Sequence, residues 1–190
     1  MKIFGISNFD VYFVIGIIIF FSLIETLTGL LHHTKRTKSD WIQEVGSFFV
    51  LSLIQKPLIV LIMLAFGRAI MPDTEGLMHD WHIWQSLALY LLIDDFLQYW
   101  YHRLAHETPF LWKLHRSHHQ AEEMGFFVSY RNAALYYALM PNIWWIGLVS
   151  FWGGGLAVAI GLMAKQVVII SSHSTTTWDK YLYRYKVLRP

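Results

Sequence analysis

The chain has 190 residues, 55% hydrophobic and 17% aromatic, with only 15% charged residues and a net charge of +2. Soluble domains carry about a quarter charged residues, so this composition argues against a water-coated globule, and the small net charge argues against a nucleic-acid partner. The absence of cysteine excludes disulfides, thiolate metal sites and cysteine nucleophiles.

Apolar runs of about 20 residues predict a polytopic membrane protein. The first covers residues 9–31 and carries Glu25 toward its far end, where it must face protein or a polar interface. That run is too long, and too acidic at Glu25, for a signal peptide. A basic connection over 32–44 follows, with Lys35, Arg36 and Lys38. Residues 45–70 are apolar except for Gln55-Lys56-Pro57. They are expected to form one kinked span, or a re-entrant pair, with Lys56 facing inward. The next connection, 67–82, carries a Pro-Asp turn signal. The span expected over 83–101 runs directly into a histidine-rich stretch. Two further apolar runs, 133–152 and 156–172, are split by Gly153-Gly154-Gly155 and predict a helical hairpin ending at His173. The tail from Trp178 to Pro190 is basic and aromatic, as an interfacial segment would be.

The expected fold is therefore all-α: a single domain over 1–190, with about four to five spanning helices and a histidine-rich helical cap. Placing 32–44 in the cytoplasm puts Lys35, Arg36, Lys38, Arg103, Lys113, Arg116, Arg131, Lys180, Arg184, Lys186 and Arg189 on that side. Only Lys2 and Arg68 fall clearly outside. This asymmetry predicts an integral protein of a bacterial inner membrane or the endoplasmic reticulum, with its histidines on the cytoplasmic side.

The densest chemistry lies in DDFLQYWYHRLAHETPFLWKLHRSHHQAEE, residues 94–123. His102 and His106 stand four apart, and His115, His118 and His119 stand at i, i+3 and i+4. On helices these spacings stack imidazoles on one face, the geometry for several nitrogen ligands on one ion. Pro109 is expected to end the first helix and turn the second back on it. Asp95, at helical steps before His102, is a candidate to accept an imidazole N–H, with Asp94 less well placed. Glu122 and Glu123 follow within a turn of His119 as further second carboxylates or proton carriers. His32, His33, His79 and His82 read as packing histidines. His106-Glu107 invites a zinc-protease reading, but HExxH requires a histidine where this chain has Phe110. An all-imidazole set suits iron, zinc or copper. Zinc has no redox chemistry, whereas an apolar substrate offers mainly C–H bonds, which favours a redox metal.

The two boxes His102-Arg103-Leu104-Ala105-His106 and His115-Arg116-Ser117-His118-His119, with Asp95-Phe96 and Tyr99-Trp100 before them, resemble the fatty acid hydroxylase and sterol desaturase superfamily of membrane di-iron oxygenases. His106-Glu107 is similar to its alkylglycerol monooxygenase and bacterial sterol desaturase-like branch. His173-Ser174 matches a later isolated ligand. The resemblance implies two irons, with zinc as a substitute metal, held by His102, His106, His115, His118, His119 and His173. It places Asp95 and Glu122 around them. It further implies O₂-dependent hydroxylation or desaturation of a fatty acyl, sterol or ether-lipid substrate. Electrons would come from a cytochrome b5-like or ferredoxin-like donor. In three places the sequence departs from the family pattern. Gly125 stands where the family often has Asn, Asn132-Ala133 where His-Pro is common, and the third HxxHH is missing before Pro190. The last departure implies either a C-terminally truncated form or a catalytically incomplete membrane protein with a structural role, binding one metal or none. A bis-histidine haem protein is the weaker alternative, because haem ligands come singly from separate helices.

Overall fold

The computed structural model describes residues 37–121 and 126–173, with the side chains of 126 and 170–173 outside that description. The run over 9–31, Glu122, and the tail after His173 also lie outside it. All the described elements are helical, and no strand occurs among the described residues.

Helix α1, Lys38–Phe49, starts inside the segment expected to be a connection. The reason is a reciprocal cap: Asp40 N–H donates to Thr37 Oγ1 at 3.2 Å, and Thr37 N–H donates to Asp40 Oδ2 at 2.9 Å. A π-helical stretch, Val50–Gln55, joins it to α2, Lys56–Ile70. Pro57 explains the wide turn. It has no N–H to donate, and its ring would collide with a carbonyl one turn back, so the helix opens to pass it. The expected kinked span or re-entrant pair thus resolves as one continuous helix of 33 residues, Lys38–Ile70. At helical rise it measures about 50 Å, against about 30 Å of bilayer hydrocarbon. Only 11% of its apolar window is buried in protein. Leu53, Leu58, Leu61, Ile62 and Phe66 face outward, as they would toward lipid and not toward water.

Helix α3, Ile83–Glu107, is capped by His82, whose side chain and that of Gln85 close a box on the first turn. It runs through both Asp94 and His106, as the sequence predicts. Thr108 ends it, and Pro109 opens α4, Pro109–His119, where its missing N–H costs nothing. A 3₁₀ turn, Phe126–Tyr130, leads to the short α5, Ala134–Ala138, then α6, Pro141–Phe151, and α7, Gly155–His173. The run expected over 133–152 is broken at Pro141, and Trp144 Nε1 donates to the carbonyl of Ala138 at 2.7 Å across the break. Helix α6 alone, 11 residues or about 16 Å, is too short to cross a bilayer. Gly153, at φ +89°, makes the hairpin turn into α7. Among the described residues, one helix, Lys38–Ile70, is long and apolar enough to span a membrane.

Helix α2 lies along α6, and α3 packs against α4, α6 and α7. Small residues permit this closeness. A Cβ on Gly147 would meet Met63 Cβ at 2.6 Å, and one on Gly161 would meet the Tyr90 ring at 2.4 Å. One apolar cluster, including Leu51, Tyr101, Ala105, Tyr136 and Ile143, lies beneath the histidines; a second, including Met78, Tyr90, Trp145 and Val149, lies at the far end. Gly147→Leu is expected to overpack the α2–α6 contact and cost about 1–3 kcal/mol. Gly155→Ala, whose Cβ meets nothing within 4 Å, should be near neutral. Thermal unfolding in detergent checks both.

Candidate metal centre

The i, i+4 pairs on two helices, folded back at Thr108-Pro109, bring four imidazoles together. His102 Nε2 and His106 Nε2 are 3.1 Å apart on α3, and His115 Nε2 and His119 Nε2 are 3.1 Å apart on α4. Across the helices, ring centroids of His102 and His115 stand at 4.7 Å, as do those of His106 and His119. One ligand atom from each of the four lies within 4.8 Å of every other. Two nitrogens each about 2.1 Å from one ion stand about 3 to 3.4 Å apart, so the residues present fit a metal ion.

Ligand orientation is set from one short segment. His115 Nδ1 donates to Asn132 Oδ1 at 2.8 Å; the same amide donates through Nδ2 to Tyr137 Oη at 3.2 Å, which turns its oxygen toward the ring. His118 Nδ1 donates to the Val128 carbonyl at 3.0 Å. Each bond holds the ring proton on Nδ1, the usual way an outer partner fixes the tautomer that binds metal through Nε2. His118 stacks on His115 at 5.3 Å, beside the four-nitrogen cluster. The segment is latched to α4 twice more: Ser117 Oγ donates to the Arg131 carbonyl at 3.3 Å, and Ala133 N–H to the Leu114 carbonyl at 3.2 Å. Arg131 in turn reaches Asp40 at 2.7 Å and Glu44 at 3.3 Å on α1.

His115 is 2% exposed. Burial pushes its pKa down to about 3, against a partly opposing bond to Asn132, with the neighbouring His102, His118 and His119 lowering it further. It is therefore neutral, and able to ligate, at ordinary pH. Burial, then the charge of His106, also lowers His119. His102, His106 and His119 remain exposed.

The structure thus converges four of the six predicted ligands and sets His118 beside them. His173 closes α7, with its side chain outside the described residues, as is all of Glu122. Asp95 is exposed seven residues before His102, about 10 Å along the helix. It lines a cavity with Asp94 and Lys165. Asp94, ranked second in the sequence, is the buried carboxylate, and it pairs with Lys165 of α7. Sequence reasoning missed Asn132 and Lys165 and read Arg131 only as a topology charge. The one available signal was Asn132 itself, standing where the resemblance leads one to expect histidine.

Residues 87–189, slightly more than half of the chain, match the family model described as fatty acid hydroxylase. The chain is 30% identical over 106 residues to the very-long-chain aldehyde decarbonylase GL1-10 of Oryza sativa subsp. japonica, covering 53% of this chain and 33% of that protein. It is 27% identical over 130 residues to methylsterol monooxygenase 1-1 of Arabidopsis thaliana, covering 65% and 39%. It is 35% identical over 63 residues to the fatty acid hydroxylase vlmA of a Lecanicillium species, covering 32% and 17%. The chain therefore spans well under half the length of these curated relatives. No solved structure matches it.

Asn132→Leu removes the acceptor that orients His115 and should weaken metal binding about 10- to 100-fold, with Asn132→Asp restoring most of it; competition with a chelator checks this. The depressed pKa of His115 also sets a pH dependence in the metal-free protein. Below the ordinary value of 6.5 the unfolded chain takes up a proton that the folded chain refuses. Stability should hold above that pH and fall below it, by about 2 kcal/mol at about pH 5. A His115→Gln variant should lose that slope in denaturant titrations.

Proposed function

The chain belongs to the fatty acid hydroxylase family, and from that footing we propose that it is an O₂-dependent lipid oxygenase built around two irons. Its action would be hydroxylation or desaturation of a fatty acyl, sterol or ether-lipid substrate. The observation that carries the reading is the meeting of four imidazole nitrogens from two helices within 4.8 Å. Four nitrogens suffice for one ion. A second ion would draw on His118, which stacks on His115 beside the cluster, and on His173 at the end of α7. Bound iron would supply the electron transfer and O₂ chemistry that no side chain here performs, and zinc in the same ligands would not.

The chain's own residues have separable tasks. Asn132 and the Val128 carbonyl hold two ring N–H groups so that Nε2 faces the cluster. Burial keeps His115 unprotonated. Tyr136 stacks on the buried His115 at 4.8 Å and keeps water from that ring face, and Trp112 lies 5.5 Å from both His106 and His119. Glu122, three residues after His119, is assigned as a proton carrier beside the centre, whereas Asp95, about 10 Å along α3 from His102, is too distant to bond a ligand ring. The outward apolar faces of α2 and α3 suit entry of an acyl chain from a membrane. The chain's reductant is an external donor, cytochrome b5-like or ferredoxin-like, and the basic surface around Arg103, Lys113 and Arg116 suits a cytoplasmic membrane face.

Iron-loaded full-chain protein in nanodiscs is expected to oxidise a lipid mixture only with O₂ and a reductant. His106→Ala should lose iron and at least about 100-fold of turnover while keeping its helical content. Unchanged turnover in His106→Ala would overturn the role of the cluster. Two irons per chain support the di-iron reading, whereas one or none, without turnover, supports the catalytically incomplete alternative.

A further inference from the structure

The stretch from Phe126 to Ala133 orients two ligand rings, yet it has only one 3₁₀ turn of its own to hold it. Its position therefore comes from ties to its neighbours. Two of these run to α4, from Ser117 Oγ to the Arg131 carbonyl at 3.3 Å and from Ala133 N–H to the Leu114 carbonyl at 3.2 Å. Both are neutral and long. A third tie is of another kind. Arg131 Nη1 lies 2.7 Å from Asp40 Oδ1 and 3.3 Å from Glu44 Oε1, so one nitrogen bridges two carboxylates of α1. Charge-assisted bonds are about twice as strong as neutral ones. These are also shielded, with the Arg131 side chain 11% exposed and that of Glu44 1%. Asp40 and Glu44 stand four apart, on one face of α1. A carboxylate as deeply buried as Glu44 is costly unless a cation meets it.

The main chain of Arg131 leads to both ring acceptors. Its N–H donates to the Val128 carbonyl at 3.0 Å, the same carbonyl that accepts from His118 Nδ1 at 3.0 Å. Asn132, the acceptor for His115, is the next residue. Asp40 carries the link outward. Its Oδ1 holds Arg131, while its Oδ2 accepts from Thr37 N–H at 2.9 Å and from Thr37 Oγ1 at 2.7 Å, in the box that starts α1. The start of the long helix and the setting of two imidazoles thus share one carboxylate.

We propose that Arg131 is a positioning residue for the metal centre: it holds His115 and His118 in their metal-binding tautomers by pinning residues 128–133 to the first turns of α1. A plain tie between two parts of the chain is the alternative, and its consequences differ. It would contribute stability without deciding which ring nitrogen carries the proton. Coupling between two sites is reciprocal, so a metal ion that fixes the two rings also steadies the start of α1. The inference rests on the reading of the histidine cluster as a metal centre. Its test uses Zn²⁺ and the metal-free protein, so lipid turnover enters none of its readouts.

In full-chain protein in detergent, Arg131→Met, Asp40→Asn and Glu44→Met are combined. The charges then leave together, which buried ionic groups tolerate well, and the amide keeps an oxygen for the Thr37 cap. The triple variant is expected to retain the parent's helical content and melting temperature. Its metal-free ring-nitrogen NMR spectrum should show His115 exchanging between tautomers, where the parent shows the Nδ1–H form alone. Its Zn²⁺ affinity, from competition with a chelator, should fall about tenfold or more. Arg131→Lys still offers one charged nitrogen to both carboxylates and should stay close to the parent in both readouts. In the parent, Zn²⁺ should slow amide hydrogen exchange over residues 38–41. The first turn of α3, capped separately by His82, should exchange as before. Helix starts exchange by local fraying, so a general gain in stability does not mimic this difference. A single His115 tautomer with parental Zn²⁺ affinity in the triple variant rules Arg131 out of the role. So does exchange at 38–41 that ignores Zn²⁺, which is the deciding measurement if the triple variant does not fold. A parent that binds no metal removes the metal centre, and the His115 tautomer in the metal-free variants then decides for Arg131 by itself.

Discussion

The centre depends on the attachment of residues 128–133 to the back of α4. A histidine binds metal through one nitrogen only if the other holds its proton, and a ring with no outer partner turns freely. The Val128 carbonyl and the Asn132 amide supply that partner for His118 and His115. Ser117 and Leu114 hold the segment in place by its backbone. The segment is itself anchored by Arg131 to Asp40 and Glu44. An ion pair buried at this position is costly to break from one side, so the long first helix, which contributes no ligand, still takes part in fixing ligand geometry.

The apolar exterior and the close helix contacts have one physical origin. Where the surroundings are as apolar as the side chains, burying leucine gains little, and helices associate instead through shape and polar ties. Gly147 and Gly161 let backbones approach to the width of a glycine. Large side chains such as Leu53, Phe66, Leu92 and Phe96 are left facing out. The polar ties are few and inward: Asp94 with Lys165, Gln98 with Asn142, Gln55 with the Ala134 carbonyl. In such surroundings an ionisable residue away from the cluster marks a functional position more often than a structural one.

The printed names of the relatives span a decarbonylase, a sterol monooxygenase and a fatty acid hydroxylase. Names that differ this much among relatives separate a shared helical frame from whatever selects each protein's substrate. In this chain the frame is the α3–α4 corner.

Much of the corner was legible in the sequence, because helical periodicity is local. His102 with His106, and His115 with His119, share a face from spacing alone, and Pro109 announces the turn between them. The glycine hairpin before α7 was readable for the same reason. The break at Pro141 and the early start of α1 were not, because a cap such as Thr37 with Asp40 looks like an ordinary polar loop until its bonds form. What only the tertiary structure decided were the partners distant in sequence: Asn132 for His115, Asp40 and Glu44 for Arg131, Lys165 for Asp94 in place of the favoured Asp95. Periodicity says which residues share a face, but the partner that face meets is set by how the helices pack, and no one-dimensional pattern carries that.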